Sequence, residues 1–351
     1  MNKEPLVSIV LSVYNGEKYL REAIESMLNQ TYTNFEFLII NDGSTDTTEE
    51  IILYYKDERI RYVKNEQNLK LIASLNKGLD LAIGKYIARI DADDISMPER
   101  LEKQVNFMES DNEIGLLGSN ILNFEESIDY TSKTNYLCLH DDIKFKLFFD
   151  THFPHPTAFI RTEIIRRYNF HFDSNALHAE DYELWNRMVN VTNVHILQDY
   201  LVAKRTHPSQ ISKVHRGFQI SKVNEIRSCI IQKVFNINDI ESISLFNNYI
   251  NGSFPLSESG VLKLLSLLSL FHQINHNVKY FDNLLWDSFC RKAFWHIARS
   301  HTEFGYKFFI NNKKTILWKS NKLSRMDCLK WFIKSFLKIP TKKIAIYYAE
   351  Q

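Results

Sequence analysis

Three carboxylates, Asp91, Asp93 and Asp94, fall within four residues at the end of the mostly apolar run Ile87-Ala88-Arg89-Ile90. At an effective dielectric near 20, two unit charges about 4 Å apart repel by roughly 4 kcal/mol. A fold that gathers these groups at a strand end needs a compensating charge, and a divalent cation is the simplest. A solvated Asp-rich turn is the alternative that the stretch leaves open on its own.

The elements around the cluster narrow that choice. Leu6 to Ser12 is too dense in apolar residues for a one-sided sheet and reads as a central parallel strand, with Tyr14-Asn15-Gly16 as its turn. Leu20, Ala23, Ile24, Met27 and Leu28 follow at helical spacing. Phe35 to Ile40 is a second buried strand ending at Asn41-Asp42-Gly43, and Asp46 with Glu49 predicts a capping box for the next helix. Ile60 to Lys64, a helix through Leu71, Leu75, Leu79 and Ala82, and Tyr86 to Ile90 complete the series. Ser96 and Glu99 then predict a cap for a helix carrying Leu101, Val105 and Met108.

This alternation predicts an α/β fold, Rossmann-like, with a mainly parallel central sheet and flanking helices. Ligands bind such sheets at the carboxyl ends of strands, where Asn15, Asp42 and Asp91 all fall. No GxGxxG follows the first strand and no Walker A sequence occurs. Phosphates would have to be held another way, and a metal on acidic residues is the available one.

Beyond Met108 the pattern loosens. Ile114 to Asn120 and Thr157 to Ile160 read as strands, Glu180 to Met188 as a helix, and Val194 to Arg205 as extended. From about Lys213 the chain turns helical. The expected domains are 1–212, divided into a nucleotide-binding half (1–95) and an acceptor half (96–212), and a mainly helical region, 213–351.

The 351 residues carry a formal net charge of +1, which excludes a global basic field and argues against nucleic acid as partner. Four dispersed cysteines without a CxxC pair fit reduced thiols. No signal peptide is visible at Met1 and no apolar run is long enough to span a bilayer, so a cytoplasmic protein is expected. His301 to Gln351 holds eleven Lys/Arg against three Asp/Glu. There Leu329, Phe332, Ile333, Phe336 and Leu337 share one helical face, and Lys330, Lys334 and Lys338 another. Such a helix either lies on an anionic membrane surface, making the protein peripheral on the inner face of the cytoplasmic membrane, or packs on the protein.

Four blocks in order, Val7 to Asn15 with its helix, Ile39 to Asp46, Asp91 to Asp94, and His178 to Trp185, resemble those of a family 2 glycosyltransferase of the GT-A fold. The resemblance covers roughly the first 210 residues. It implies an inverting, metal-dependent transfer of a hexose or N-acetylhexosamine from a UDP-sugar to a glycan or lipid-linked glycan hydroxyl, in bacterial surface polysaccharide or lipooligosaccharide synthesis. By that resemblance Ser12, Tyr14 and Asn15 line the nucleotide-sugar site, and Asp42 accepts the uracil N3–H, although Asp42-Gly43 alone is also a plain turn. Asp91 faces the ribose and Asp93 ligates Mn2+ or Mg2+ bridging the diphosphate. Asp94 is read as a cap for the following segment.

Glu180-Asp181 resembles the family's acidic pair, with Asp181 as general base, its ionised form favoured by the helix N-terminus. His207 in the Arg205 to Ser212 segment is a further metal ligand by resemblance, with a surface-loop histidine as the alternative. His155 either lines the acceptor pocket or belongs to a proline turn. Lys70 departs from the family, standing where glycine is expected; it reaches the diphosphate, or the loop there bends differently. Two other readings remain at this stage: a metal-dependent phosphohydrolase, and a catalytically inactive binding module of the same fold.

Overall fold

A computed structural model describes residues 4–125, 130–207, 216–253, 256–301 and 304. The chain divides into two compact units, Met1–Val223 and Asn224–Gln351.

In the first unit the aliphatic runs become strands β1 (Val7–Val13), β2 (Phe35–Asn41), β3 (Ile60–Lys64) and β4 (Tyr86–Asp91). They pair in parallel in the order β3-β2-β1-β4. Helices α1 (Leu20–Leu28), α2 (Thr48–Tyr54) and α3 (Leu71–Leu81) are the crossovers. The chain runs outward through β2 and β3, then returns to place β4 on the other side of β1. This reversal is where a doubly wound sheet opens a crevice at its carboxyl ends. The mainly parallel α/β expectation holds for this half.

The rest of the sheet is mixed. Strand β5 (Ile95–Ser96) precedes helix α4 (Arg100–Ser110), which is followed by β6 (Ile114–Phe124), β7 (Tyr130–Thr134) and helix α5 (His140–Leu147). Strand β8 (Phe159–Arg161), helices α6 (Thr162–Tyr168) and α7 (Glu180–Met188), and the long β9 (Asn193–Arg205) complete the unit. The short β8 joins the halves, antiparallel to both β4 and β6, and β9 lies parallel to β6 and antiparallel to β5.

The core explains the periodicities. Leu20, Ala23, Ile24 and Met27 of α1 and Leu101, Val105 and Met108 of α4 share one buried cluster with Val7, Ile9 and Leu11. Each fully buried aliphatic side chain stabilises by roughly 1.5–3 kcal/mol. On the opposite face α3 approaches so closely that a Cβ on Gly78 would meet Val10 Cγ1 at 2.4 Å.

Several sequence expectations need correction. Asp46 and Glu49 form no capping box: α2 starts at Thr48, Asp46 Oδ1 accepts the Thr48 N–H, and Glu49 pairs with Lys64. Ser96 caps no helix either, because β5 pairs with β9 and α4 begins only after Pro98, at Arg100. His155–Thr157 is a single 3-10 turn, so the strand begins at Phe159. Proline at position 156 removes a ladder donor and fits the turn.

The second unit takes the end of α8 (Arg216–Phe235) with α9 (Ile240–Ile250), α10 (Glu258–Val278) and α11 (Asn283–Ser300). Asp239, Ser257 and Asp282 cap the last three through their side chains. Phe235, Phe271, Phe281 and Trp286 build an aromatic core, with Phe281 and Trp286 stacked at 5.0 Å. Among the described residues no helix is long and apolar enough to cross a membrane. The basic stretch Leu329 to Lys338 lies outside the described residues.

Candidate active site

The turn after β1 and the turn after β2 are laced together. Asn15, at φ 50°, accepts the Thr45 N–H on its side-chain oxygen at 2.9 Å, and its own N–H donates to Ser44 Oγ at 3.0 Å. Ser12 is half-buried at the end of β1 and Tyr14 is exposed beside it. Asp42 is buried, and its Oδ1 accepts from Asn65 Nδ2 at 2.8 Å and from the Leu69 N–H at 2.9 Å. That orients the carboxylate rather than leaving it on a loose turn. Gly43, at φ 69°, turns the chain against Gln67, whose backbone carbon a Cβ would meet at 2.6 Å.

Lys70 has φ 74° and ψ 161°, a region that L side chains rarely adopt. The backbone therefore bends as glycine would, and the lysine side chain stays exposed at the start of α3.

At the end of β4 the period of two puts Arg89 and Asp91 on one face, and their side chains form an ion pair. Burial works against the Asp91 charge, but Arg89 holds the carboxyl below its usual range. Asp93 is raised by burial and by Asp91. Asp94 is pushed well up by burial and by both neighbours.

The far end of β9 closes over this turn. Asp94 Oδ1 accepts the Arg205 N–H at 2.9 Å, Arg205 Nε donates to the Asp93 carbonyl at 3.1 Å, and His207 Nε2 lies 2.9 Å from Asp93 Oδ2. Asp94 thus pins β9 and caps no helix, which corrects the sequence expectation. Residues 208–212 of that segment lie outside the described residues. Beneath the turn Arg100, fully buried, donates to the Arg89 carbonyl at 2.6 Å and to Ser96 Oγ at 2.9 Å. Burial pushes its guanidinium down to about 9.

One ligand oxygen from each of Asp91, Asp93 and Asp94 lies within 4.8 Å of the others, and Asp94 Oδ2 is buried without a hydrogen-bond partner. Hard oxygen donors, mutual repulsion and an unsatisfied carboxylate oxygen fit Mg2+ or Mn2+.

A second acidic pair faces the same space. Glu180 and Asp181 open α7, and His155, presented by the 3-10 turn, brings Nδ1 to 3.6 Å from Asp181 Oδ2. Burial and then Asp181 raise Glu180 to about 7, and its Oε2 has no partner. Burial also raises Asp181, whose Oδ1 accepts the Tyr182 N–H at 2.7 Å. Desolvation therefore outweighs the helix N-terminus that was expected to keep Asp181 easily ionised. Burial and Arg89 push the His155 imidazole well below its usual range, leaving it neutral.

Arg89 and Lys204 act electrostatically on both acidic groups. The sequence reading passed over both. Arg89 was visible as the one cation inside an apolar strand, two residues before Asp91, and Lys204 as the polar position alternating with Ala203.

With this geometry in view, comparisons with known proteins are direct. Residues 8–168 match the pattern of Glycosyl transferase family 2. An uncharacterised glycosyltransferase of Haemophilus influenzae is 33% identical over 306 residues, 80% of this chain and 94% of that one. Another, from Methanocaldococcus jannaschii, is 39% identical over 212 residues, 58% of this chain and 71% of that one. Among solved structures, S. aureus TarS 1-349 in complex with UDP-GlcNAc aligns at TM-score 0.53 with 17% identity, over 78% of this chain and 81% of that fragment. A mannosyltransferase from Pyrobaculum calidifontis in complex with GDP-Man and Mn2+ aligns at 0.52 with 13% identity, over 84% and 88%. At these identities the two structures speak to the fold alone.

Proposed function

The chain belongs to glycosyltransferase family 2, with the GT-A fold, and on that premise we propose an inverting, divalent-metal-dependent enzyme. It moves a hexose or N-acetylhexosamine from a UDP-sugar to a hydroxyl of a glycan or lipid-linked glycan, in surface polysaccharide or lipooligosaccharide synthesis. Family membership removes the phosphohydrolase alternative. The observation that carries the reading is the pair of buried and half-buried acidic groups, Asp91-Asp93-Asp94 and Glu180-Asp181, coupled through Arg89 near the end of β4.

Each group has its own task. Asp42, fixed by Asn65 and Leu69, offers its carboxylate to the N3–H of uracil. Ser12, Tyr14, Asn15 and Lys70 border the donor, and Asp91 faces its ribose. Asp93, with Asp91, Asp94 and His207, would hold Mn2+ or Mg2+, which neutralises the charge of the diphosphate.

On the acceptor side, Asp181 takes the proton of the attacking hydroxyl. Like charges this close resist ionising together. The Tyr182 N–H favours the charge on Asp181, while Glu180 keeps its proton to about pH 7. Attack opposite the leaving diphosphate is one displacement and inverts the anomeric centre. A catalytic-unit boundary near residue 212 and a cytoplasmic, membrane-peripheral setting for the tail belong to the same proposal.

The test is a thermal-shift screen of UDP-glucose, UDP-galactose, UDP-GlcNAc and GDP-mannose, each with Mn2+ and with EDTA. Stabilisation grows with ligand concentration over Kd. A Mn2+-dependent shift with a UDP-sugar is expected; a shift with GDP-mannose only, or one indifferent to EDTA, overturns the donor or the metal assignment.

A further inference from the structure

The second unit carries a cluster that the glycosyltransferase reading does not use. His272 and His276 stand one helical turn apart on α10, and Asp287 faces them from α11. The ligand atoms of the three lie within 4.8 Å of one another. We propose that His272, His276 and Asp287 form a binding site for a transition-metal cation, Zn2+ by preference, joining α10 to α11.

The distances fit that occupant. His272 Nδ1 lies 3.0 Å and His276 Nε2 2.8 Å from the same oxygen, Asp287 Oδ1. Ligands about 2.0–2.1 Å from a tetrahedral Zn2+ stand roughly 3.3 Å from each other, close to the separations found. Two imidazole nitrogens, His272 Nδ1 and His276 Nε2, thus converge on one carboxylate oxygen, gathering three ligand groups from two helices at one point.

Charge and burial agree. The imidazole rings are 4.5 Å apart, so two imidazolium ions there would repel. The His272 side chain is mostly buried, only 12% exposed. Among the described residues Arg291, one turn beyond Asp287, is a cation opposing a metal, and Asp287 offsets it. Two imidazoles with a carboxylate favour Zn2+ over Mg2+, whereas the carboxylate-dominated cluster at Asp91 to Asp94 leans towards the harder cations. His276 is partly exposed, giving the ion a path from solvent and water a fourth position.

The full-length protein, stripped of metal by chelation and dialysis, is titrated with Co2+ as a visible stand-in and then with Zn2+. One equivalent of absorbing Co2+ complex, displaced by Zn2+, is expected in the wild type and in Asp93→Asn. His272→Gln and His276→Gln should each weaken it at least tenfold, with unchanged circular dichroism. Should His272→Gln misfold, Asp287→Asn and the exposed His276→Gln carry the comparison. An absent wild-type complex, equal affinity in the glutamine variants, or loss in Asp93→Asn overturns the site.

Discussion

Replacing Glu180 by glutamine isolates the electrostatic burden of the acceptor-side pair. Glu180 is 7% exposed, its Oε2 lacks a partner, and burial with the Asp181 charge holds its carboxyl at about 7 instead of 4.5. A group raised in the folded state contributes its full stability below its unfolded value and loses it as pH rises through the folded one. Below about pH 4.5 both states hold the proton and nothing is lost. Between 4.5 and 7 the folded state binds the extra proton, so stability falls with pH and levels off above about pH 8. At 1.36 kcal/mol per pH unit the loss amounts to about 3 kcal/mol.

Glutamine cannot ionise, so the variant lacks this slope. The comparison is made by urea or thermal unfolding at several pH values from 5 to 8, in EDTA. About 2.5 kcal/mol of that loss falls between pH 5 and pH 8, and for a unit of this size 1 kcal/mol corresponds to about 2–4 °C, so the midpoint of Glu180→Gln minus that of wild type should rise by about 5–10 °C over that range. Taking the difference cancels histidines and other carboxylates that titrate alike in both proteins. It also cancels any fixed penalty for a buried amide without partners. Parallel curves across the range would refute the argument, because Glu180 would then be ionised at no cost.

Two further outcomes bear on separate parts of the reasoning. Asp181→Asn keeps the shape and removes the proton acceptor, so kcat should drop about 10²–10⁴-fold, with the Kd for the UDP-sugar within about twofold by calorimetry. A large loss of donor affinity would move Asp181 out of the base role. Gly78→Ala should destabilise by about 1–2 kcal/mol in urea, because the overlap with Val10 at 2.4 Å and Ile40 at 3.0 Å outweighs the roughly 1 kcal/mol helix-propensity gain. A stabilised alanine variant would show that α3 can move away from the sheet at no expense.

What the sequence made legible follows from the range of the interactions involved. The first four strands and their helices could be read because each is specified locally, by an apolar run of period one or an amphipathic run near 3.6. Strand β8 was read two residues early, as Thr157 to Ile160, since so short a run carries no period to fix its start; its place between β4 and β6 is set by pairing on both sides. The capping boxes failed for a related reason. Asp46 and Ser96 have the right residue type and spacing, but the Thr48 and Glu17 N–H groups take up the Asp46 carboxylate, and the pairing of β5 with β9 holds Ser96 in a strand.

The site divides along the same line. Carboxylates at strand ends are visible because each strand reports its own end, and Asp91 to Asp94 is contiguous. The partners that set their charge come from far along the chain: Arg205 bonds Asp94 across 111 residues and His207 meets Asp93 across 114. Charge state is less local still. A helix N-terminus argues for an ionised Asp181, and only the packing of α7 against the 3-10 turn reveals that burial wins. Arg89 is the intermediate case, since its type and its face were both readable from the strand. What was missing was a reason for a cation to be buried there. The structure supplies one: without Arg89, Asp91, Glu180 and Asp181 would confront one another in a buried space with far less positive charge to hold them.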